Sequence, residues 1–217
     1  MIFQVNNFLI RGREKDKEFI ESIDLTSIYE DVKNFFGFEK DLLIRLNFVS
    51  SPEEFVFFSG RNNFERWNVG QTSYFNTIIL FSISSIEKCT NHKKSNLKGL
   101  LAHEIAHLFY GNSKFFNLPL FNEGIASYFK YKYSDEKPSF EFKGDSYPIR
   151  ETKNFKDNYL AGYALIKKIL VDKSSKEIMN FLKEVSSEDS DEILYEKFER
   201  VFSKNPLDFI KLEGGEL

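Results

Sequence analysis

The ten residues LLAHEIAHLF, 100–109, set the tightest limit on how this chain can fold. Leu100, Leu101, Ala102, Ile105, Ala106, Leu108 and Phe109 make a helix here apolar nearly all round, and such a helix belongs in an interior. The same stretch holds two of the chain's three histidines and a glutamate. Buried polar and ionisable groups are costly without partners, so His103, Glu104 and His107 must meet something inside the protein. His103 and His107 lie four residues apart and project from one face, about one turn from each other. That spacing lets two imidazole nitrogens reach one Zn2+ at about 2.0–2.1 Å each. Glu104 is turned away from His103, clear of its coordination position and placed to act as a base on a water held by the metal. The alternative is a buried helix that happens to carry two histidines.

A catalytic zinc takes a third protein ligand and keeps one position open. The stretch LPLFNEGIASYF, 118–129, offers Glu123 near the start of a helix that begins after Pro119. Gly124 and Ala126 keep that helix slim, so close packing against the histidine helix is expected. Alone, Glu123 reads as an acid favoured by the helix dipole in a first turn. Beside the histidine pair it is the candidate third ligand. Cys89 is the only cysteine, which leaves neither an internal disulfide nor a cysteine-rich metal site.

Elsewhere the pattern alternates between strand and helix. Residues 14–36 read as two short helices with Thr26 as an N-cap between them and Gly37 as the stop. DLLIRLNFV alternates Leu42, Ile44, Leu46 and Phe48 against more polar neighbours, a strand. Ser51 caps a helix with Pro52 at its first position. TSYFNTIILFS, just after Gly70, reads as one further strand. Residues 95–110 form the histidine helix, with Ser95 as cap and Gly111-Asn112 as its end. Residues 134–157 are polar and read as a surface excursion that contributes to a cleft. Helices follow from Tyr159 to about Val171, from Ser174 with a Ser174/Glu177 capping box, and from Asp191 to about Phe202. The expected fold class is α+β: an α/β lobe over 1–94 with a small mixed sheet, then a mainly helical lobe over 95–217, together one domain.

Charge and composition narrow the partners. With 217 residues, 41% hydrophobic and 25 of them Phe, the chain can bury a substantial core. Thirty basic and 33 acidic side chains nearly balance, which argues against a nucleic-acid partner. His92-Lys93-Lys94 reads as a solvated loop. No stretch approaches the roughly 18 apolar residues of a membrane span, and the start lacks a signal-peptide pattern, so a cytoplasmic location is expected.

His-Glu-Ile-Ala-His is the HExxH motif of zinc peptidases. Followed by Asn-Glu-Gly-x-Ala-x-Tyr from Asn122 to Tyr128, it resembles the gluzincin group of metallopeptidases, whose third zinc ligand is this glutamate. NYLAGYALIKKIL, 158–170, is similar to the gluzincin helix that carries a catalytic tyrosine; in aminopeptidase-N-like members that Tyr precedes a Gly by three residues, as Tyr159 precedes Gly162. The likeness spans roughly residues 40–171 and implies a thermolysin-like, zincin-type core. It implies one Zn2+ per chain on His103, His107 and Glu123, with Asn122 and Ser127 supporting the ligands. Glu104 would take a proton from the attacking water and pass it to the leaving amine. Tyr159 would donate to the oxyanion, with Tyr163, one turn on, as the rival.

Two positions depart from the group. Thermolysin-like enzymes place an Asp four residues after the third ligand to orient the first histidine, and here that residue is Ser127. Aminopeptidase-N-like enzymes carry Gly-x-Met-Glu-Asn in the strand lining the cleft, whereas VGQTSYFNTIIL has no acid to hold a free amine. The reading is therefore an endopeptidase-like zinc peptidase acting on a peptide or protein substrate. The alternatives are an inactive zinc- or peptide-binding module of the same fold, or a zinc hydrolase of another amide.

Overall fold

Five short strands form one mixed sheet in this computed structural model, which describes residues 1–73, 75–136, 138, 149 and 155–210. They are β1 (Ile2–Val5), β2 (Phe8–Arg11), β3 (Ile44–Val49), β4 (Gly70–Ser73) and β5 (Thr77–Phe81), in the spatial order β1-β2-β3-β5-β4. β2, β3 and β5 run parallel; β1 and β4 pair antiparallel at the two edges. Central β5 is apolar on both faces, the signature of a strand covered on both sides. Register places Phe8, Ile10, Ile44, Leu46, Ile78 and Leu80 on one face, with Gly70 and Thr72 of β4 beside the last two. Gln71 of β4 and Phe81 of β5 point to the other.

Helices cover both faces. On one, Phe55 of α3 (Pro52–Ser59) stacks on Phe81 with centroids 5.3 Å apart. On the other, Tyr29 of α2 (Leu25–Phe36) sits between Phe8 and Phe109, making edge contacts at 5.8 and 5.5 Å. α1 (Glu14–Ser22) precedes α2, and a short α4 (Ile86–Cys89) and a 3-10 turn (Lys94–Asn96) lead into α5 (Leu97–Asn112). α5 is buried over most of its length and lies against β4 and β5. α6 (Pro119–Lys132), α7 (Phe155–Asp172), α8 (Ser175–Glu184), α9 (Asp191–Phe202) and α10 (Pro206–Ile210) complete the described chain. The strands all precede the histidine helix among the described residues, and the fold is α+β as expected.

Several local expectations hold. Ser51 accepts from Glu54 N at 3.3 Å, Gly37 closes α2 at φ 68°, and Ser174 and Glu177 form the capping box. Others are corrected. Asp24, not Thr26, caps α2, accepting from Ser27 N at 2.9 Å; a carboxylate two residues earlier outcompetes the threonine. Ser95 lies inside the 3-10 turn, and α5 runs through Gly111 and Asn112 to a cap at Ser113. The single strand expected over 72–82 is a hairpin, β4–β5, turned at Phe75 and Asn76 with φ of 57° and 53°. The N-terminal hairpin β1–β2, turned at Asn6, was not anticipated. The 134–157 excursion lies largely outside the described residues. Among those described, no helix is long and apolar enough to cross a membrane.

Gly124 plays a different part from the one expected. A Cβ on it would stand 2.6 Å from the backbone of Gly162 on α7, and a Cβ on Gly162 would stand 2.4 Å from the Leu120 carbonyl oxygen. Gly124 therefore joins α6 to α7. α6 does pack closely on the histidine helix, with its nearest backbone approach at Gly99, whose added Cβ would fall 2.5 Å from the Lys130 carbonyl oxygen.

Candidate metal centre

Three helices deliver the polar groups. α5 carries His103, Glu104 and His107 on consecutive turns, α6 carries Asn122, Glu123 and Ser127, and α7 carries Tyr159. His103 Nε2 and His107 Nε2 are 3.0 Å apart, and Glu123 Oε2 lies 3.7 and 3.5 Å from them. Donors held about 2.0–2.1 Å from a tetrahedral zinc stand about 3.3–3.4 Å from each other. The three observed sides bracket that spacing, and a single point lies about 2.0 Å from all three atoms. His103, His107 and Glu123 are thus a group able to hold a metal ion.

Unsatisfied atoms support the same conclusion. Glu123 Oε2, the oxygen facing both imidazoles, is buried without a hydrogen bond. A buried carboxylate oxygen in that condition calls for a cation. Burial would depress the His107 pKa, but the adjoining Glu123 carboxylate and the charge of Glu104 outweigh it and raise it to about 9. Burial, reinforced by charge on His107, holds His103 well below the ordinary histidine value. One imidazolium, that of His107, therefore serves as counter-charge for the neighbouring acids.

Asn122 orients His107. Its Nδ2 donates to Asn117 Oδ1 at 3.1 Å, which fixes the amide so that Oδ1 faces His107 Nδ1 at 2.8 Å. The ring then donates from Nδ1 and keeps Nε2 for the centre of the triangle. Among the described residues, no side chain supports His103 in this way. Its Nδ1 and the Ser127 hydroxyl are both buried without hydrogen-bond partners, so the bond expected between them is not made. A serine oxygen is one bond from Cβ and stops short of where an aspartate would reach.

Glu104 faces the sheet. Thr72 of β4 donates to Glu104 Oε2 at 2.9 Å and approaches its backbone oxygen at 3.2 Å. A Cβ on Gly70 would lie 2.7 Å from Oε1, so glycine is what makes room for this carboxylate. Burial raises the Glu104 pKa, with the charge of His107 and the Thr72 hydrogen bond acting the other way. Sequence reasoning noted this strand for the acid it lacks and missed Thr72 and Gly70, whose positions matter only through pairing with β5.

The two tyrosines separate clearly. Tyr159 lies over His103, rings 5.7 Å apart and 15° from parallel. Burial, with the charges of Glu123 and Glu104, raises its pKa far above the ordinary value. Tyr163 turns instead to Tyr131, 4.9 Å away at 65°.

No protein-family model matches the chain, and no curated protein matches it.

Proposed function

We propose that the chain is a zinc-dependent peptidase of gluzincin type with an endopeptidase-like cleft. The observation that carries this reading is the His103–His107–Glu123 triangle with Glu104 on the same helix, held apart from the three donors by Thr72. A site that only bound metal for structure has no use for that fourth, separately supported acid. Zn2+ on these three residues would polarise a carbonyl oxygen and make a neighbouring water more acidic. Glu104, made more basic by burial, takes the proton from that water and returns it to the leaving amine. Tyr159, whose hydroxyl burial makes less acidic, donates a hydrogen bond to the developing oxyanion. Asn122 holds the His107 ring in the ligating tautomer.

One observation favours a second reading. The unsupported Nδ1 of His103 suits a module of the same fold that binds zinc or peptide without cutting. Elemental analysis and a peptide-library cleavage assay on wild type and Glu104→Gln separate the two. The peptidase reading expects about one zinc per chain in both proteins and loss of cleavage by at least about 100-fold in the variant. Equal cleavage by both proteins would remove Glu104 as the base, and zinc without cleavage in the wild type would leave the binding module.

A further inference from the structure

Arg61 follows α3 and stands beside the edge strand that supports Glu104. Its Nε donates to Gln71 Oε1 and its Nη1 to Asn68 Oδ1 at 3.3 Å. Gln71 is held in turn, its Nε2 donating to the Ser59 carbonyl at 3.3 Å, so its amide oxygen is fixed toward the arginine. Asn68 is 5% exposed, a buried side chain whose oxygen is turned to Arg61. Both acceptors are neutral amides, and no carboxylate lies within ion-pair distance of Arg61 among the described residues. The sequence offers 33 acids, and other cations here, such as Lys33, Lys132 and Lys197, take one. Two of the guanidinium's five N–H donors are used, and three remain.

The position is informative. Gln71 lies between Gly70 and Thr72, the two residues in contact with Glu104. Neighbouring residues on a strand point to opposite faces, so Arg61 and Glu104 flank the same edge strand from its two sides. A rigid, unpaired guanidinium with free donors beside a cleavage site matches the fork geometry of a carboxylate. An extended peptide laid along β4 would run past this group.

We propose that Arg61 anchors a carboxylate of the substrate, an acidic side chain or a free C-terminus, beside the edge strand. The substrate class becomes anionic peptides, an assignment that rests on the peptidase reading. Gln71 and Asn68 pre-order the arginine, so less side-chain freedom is lost on binding than at an ordinary exposed cation. An arginine that merely ties its loop to β4 would affect folding and leave ligand charge unread.

The test uses the full chain carrying Glu104→Gln, alone and combined with Arg61→Gln or Arg61→Lys. Four matched fluorescent peptides combine internal Glu or Gln with a free or amidated C-terminus, and anisotropy reads their binding. One carboxylate is expected to tighten binding about 10-fold over its neutral match, which identifies the source. Arg61→Gln should erase that difference and leave the neutral peptides unchanged, while Arg61→Lys keeps part of it. Equal binding of charged and neutral peptides, no binding of any, or a preference that survives Arg61→Gln would overturn the anchor. Wild-type cleavage of the same peptides is scored separately. A carboxylate preference in binding with no cleavage removes the peptidase and keeps the anchor; cleavage indifferent to charge does the reverse.

Discussion

The candidate centre stands between two unlike walls. Its helical wall, α5 with α6 and α7, supplies every metal donor and Tyr159, and is assembled by backbone-to-backbone contact at Gly99, Gly124 and Gly162. Its strand wall is β4, four half-buried residues at the edge of the sheet, and holds Glu104 through one hydroxyl and one absent side chain. The first wall places atoms by the pitch of helices packed without slack. The second places one carboxylate by strand pairing, and its outer edge pairs with no other strand among the described residues. In the proposed peptidase, metal binding and proton transfer would thereby be supported by different elements, and each could be damaged without the other.

The largest effect should come from breaking the helical wall. In Gly162→Ala the new Cβ meets the Leu120 carbonyl, a backbone atom that cannot swing aside, so α6 and α7 must part. A loss of about 1–3 kcal/mol in denaturant unfolding is expected, as for other overpacked cores, together with weaker zinc binding because Glu123 travels with α6. Unchanged zinc affinity would show that the two helices do not fix the triangle. A gentler change on the same wall is Asn122→Ala, which frees the His107 ring. Zinc affinity, followed by competition with a chelator, should fall about 10–100-fold while the melting temperature moves little. Smallest of all is the strand wall. Thr72→Val should leave zinc content intact, lower kcat about 10-fold and hardly change KM, and Thr72→Ser should recover most of the loss. If Thr72→Ser is as impaired as Thr72→Val, the hydroxyl is not what holds Glu104.

The same contrast governs how much the sequence reveals. α5 and α6 are legible because helical spacing is local: His103, Glu104 and His107 declare their faces, and Pro119 marks a start. Glu123 follows from needing a third donor. Tyr159 and Tyr163 share a helix and differ in what they pack against, His103 of α5 for the first and Tyr131 of α6 for the second, which helical spacing alone does not show. Gly124 shows the same limit, since a glycine announces a close approach but not the neighbour. The strand wall is nearly silent. β4 is four residues long, and the turn after it is built on Phe75 and Asn76, of which the aromatic Phe75 makes the hairpin read as one strand. Asn takes the left-handed conformation readily and Phe does not, so half of that turn carries no signal. The β1–β2 hairpin fails for a similar reason, two four-residue strands around an Asn6 turn. Ser127 was readable as a weak support for His103, but whether its oxygen reaches the ring is a matter of one bond length.

The meeting of Gly124 and Gly162 has a consequence for how this protein can change over time. Glu123 precedes the first glycine by one residue and Tyr159 precedes the second by three, so main-chain contact sets their separation. Most side chains around them can then drift without disturbing the distance on which the chemistry depends. Two positions that bear no side chain are thereby held as tightly as the residues proposed to carry the chemistry.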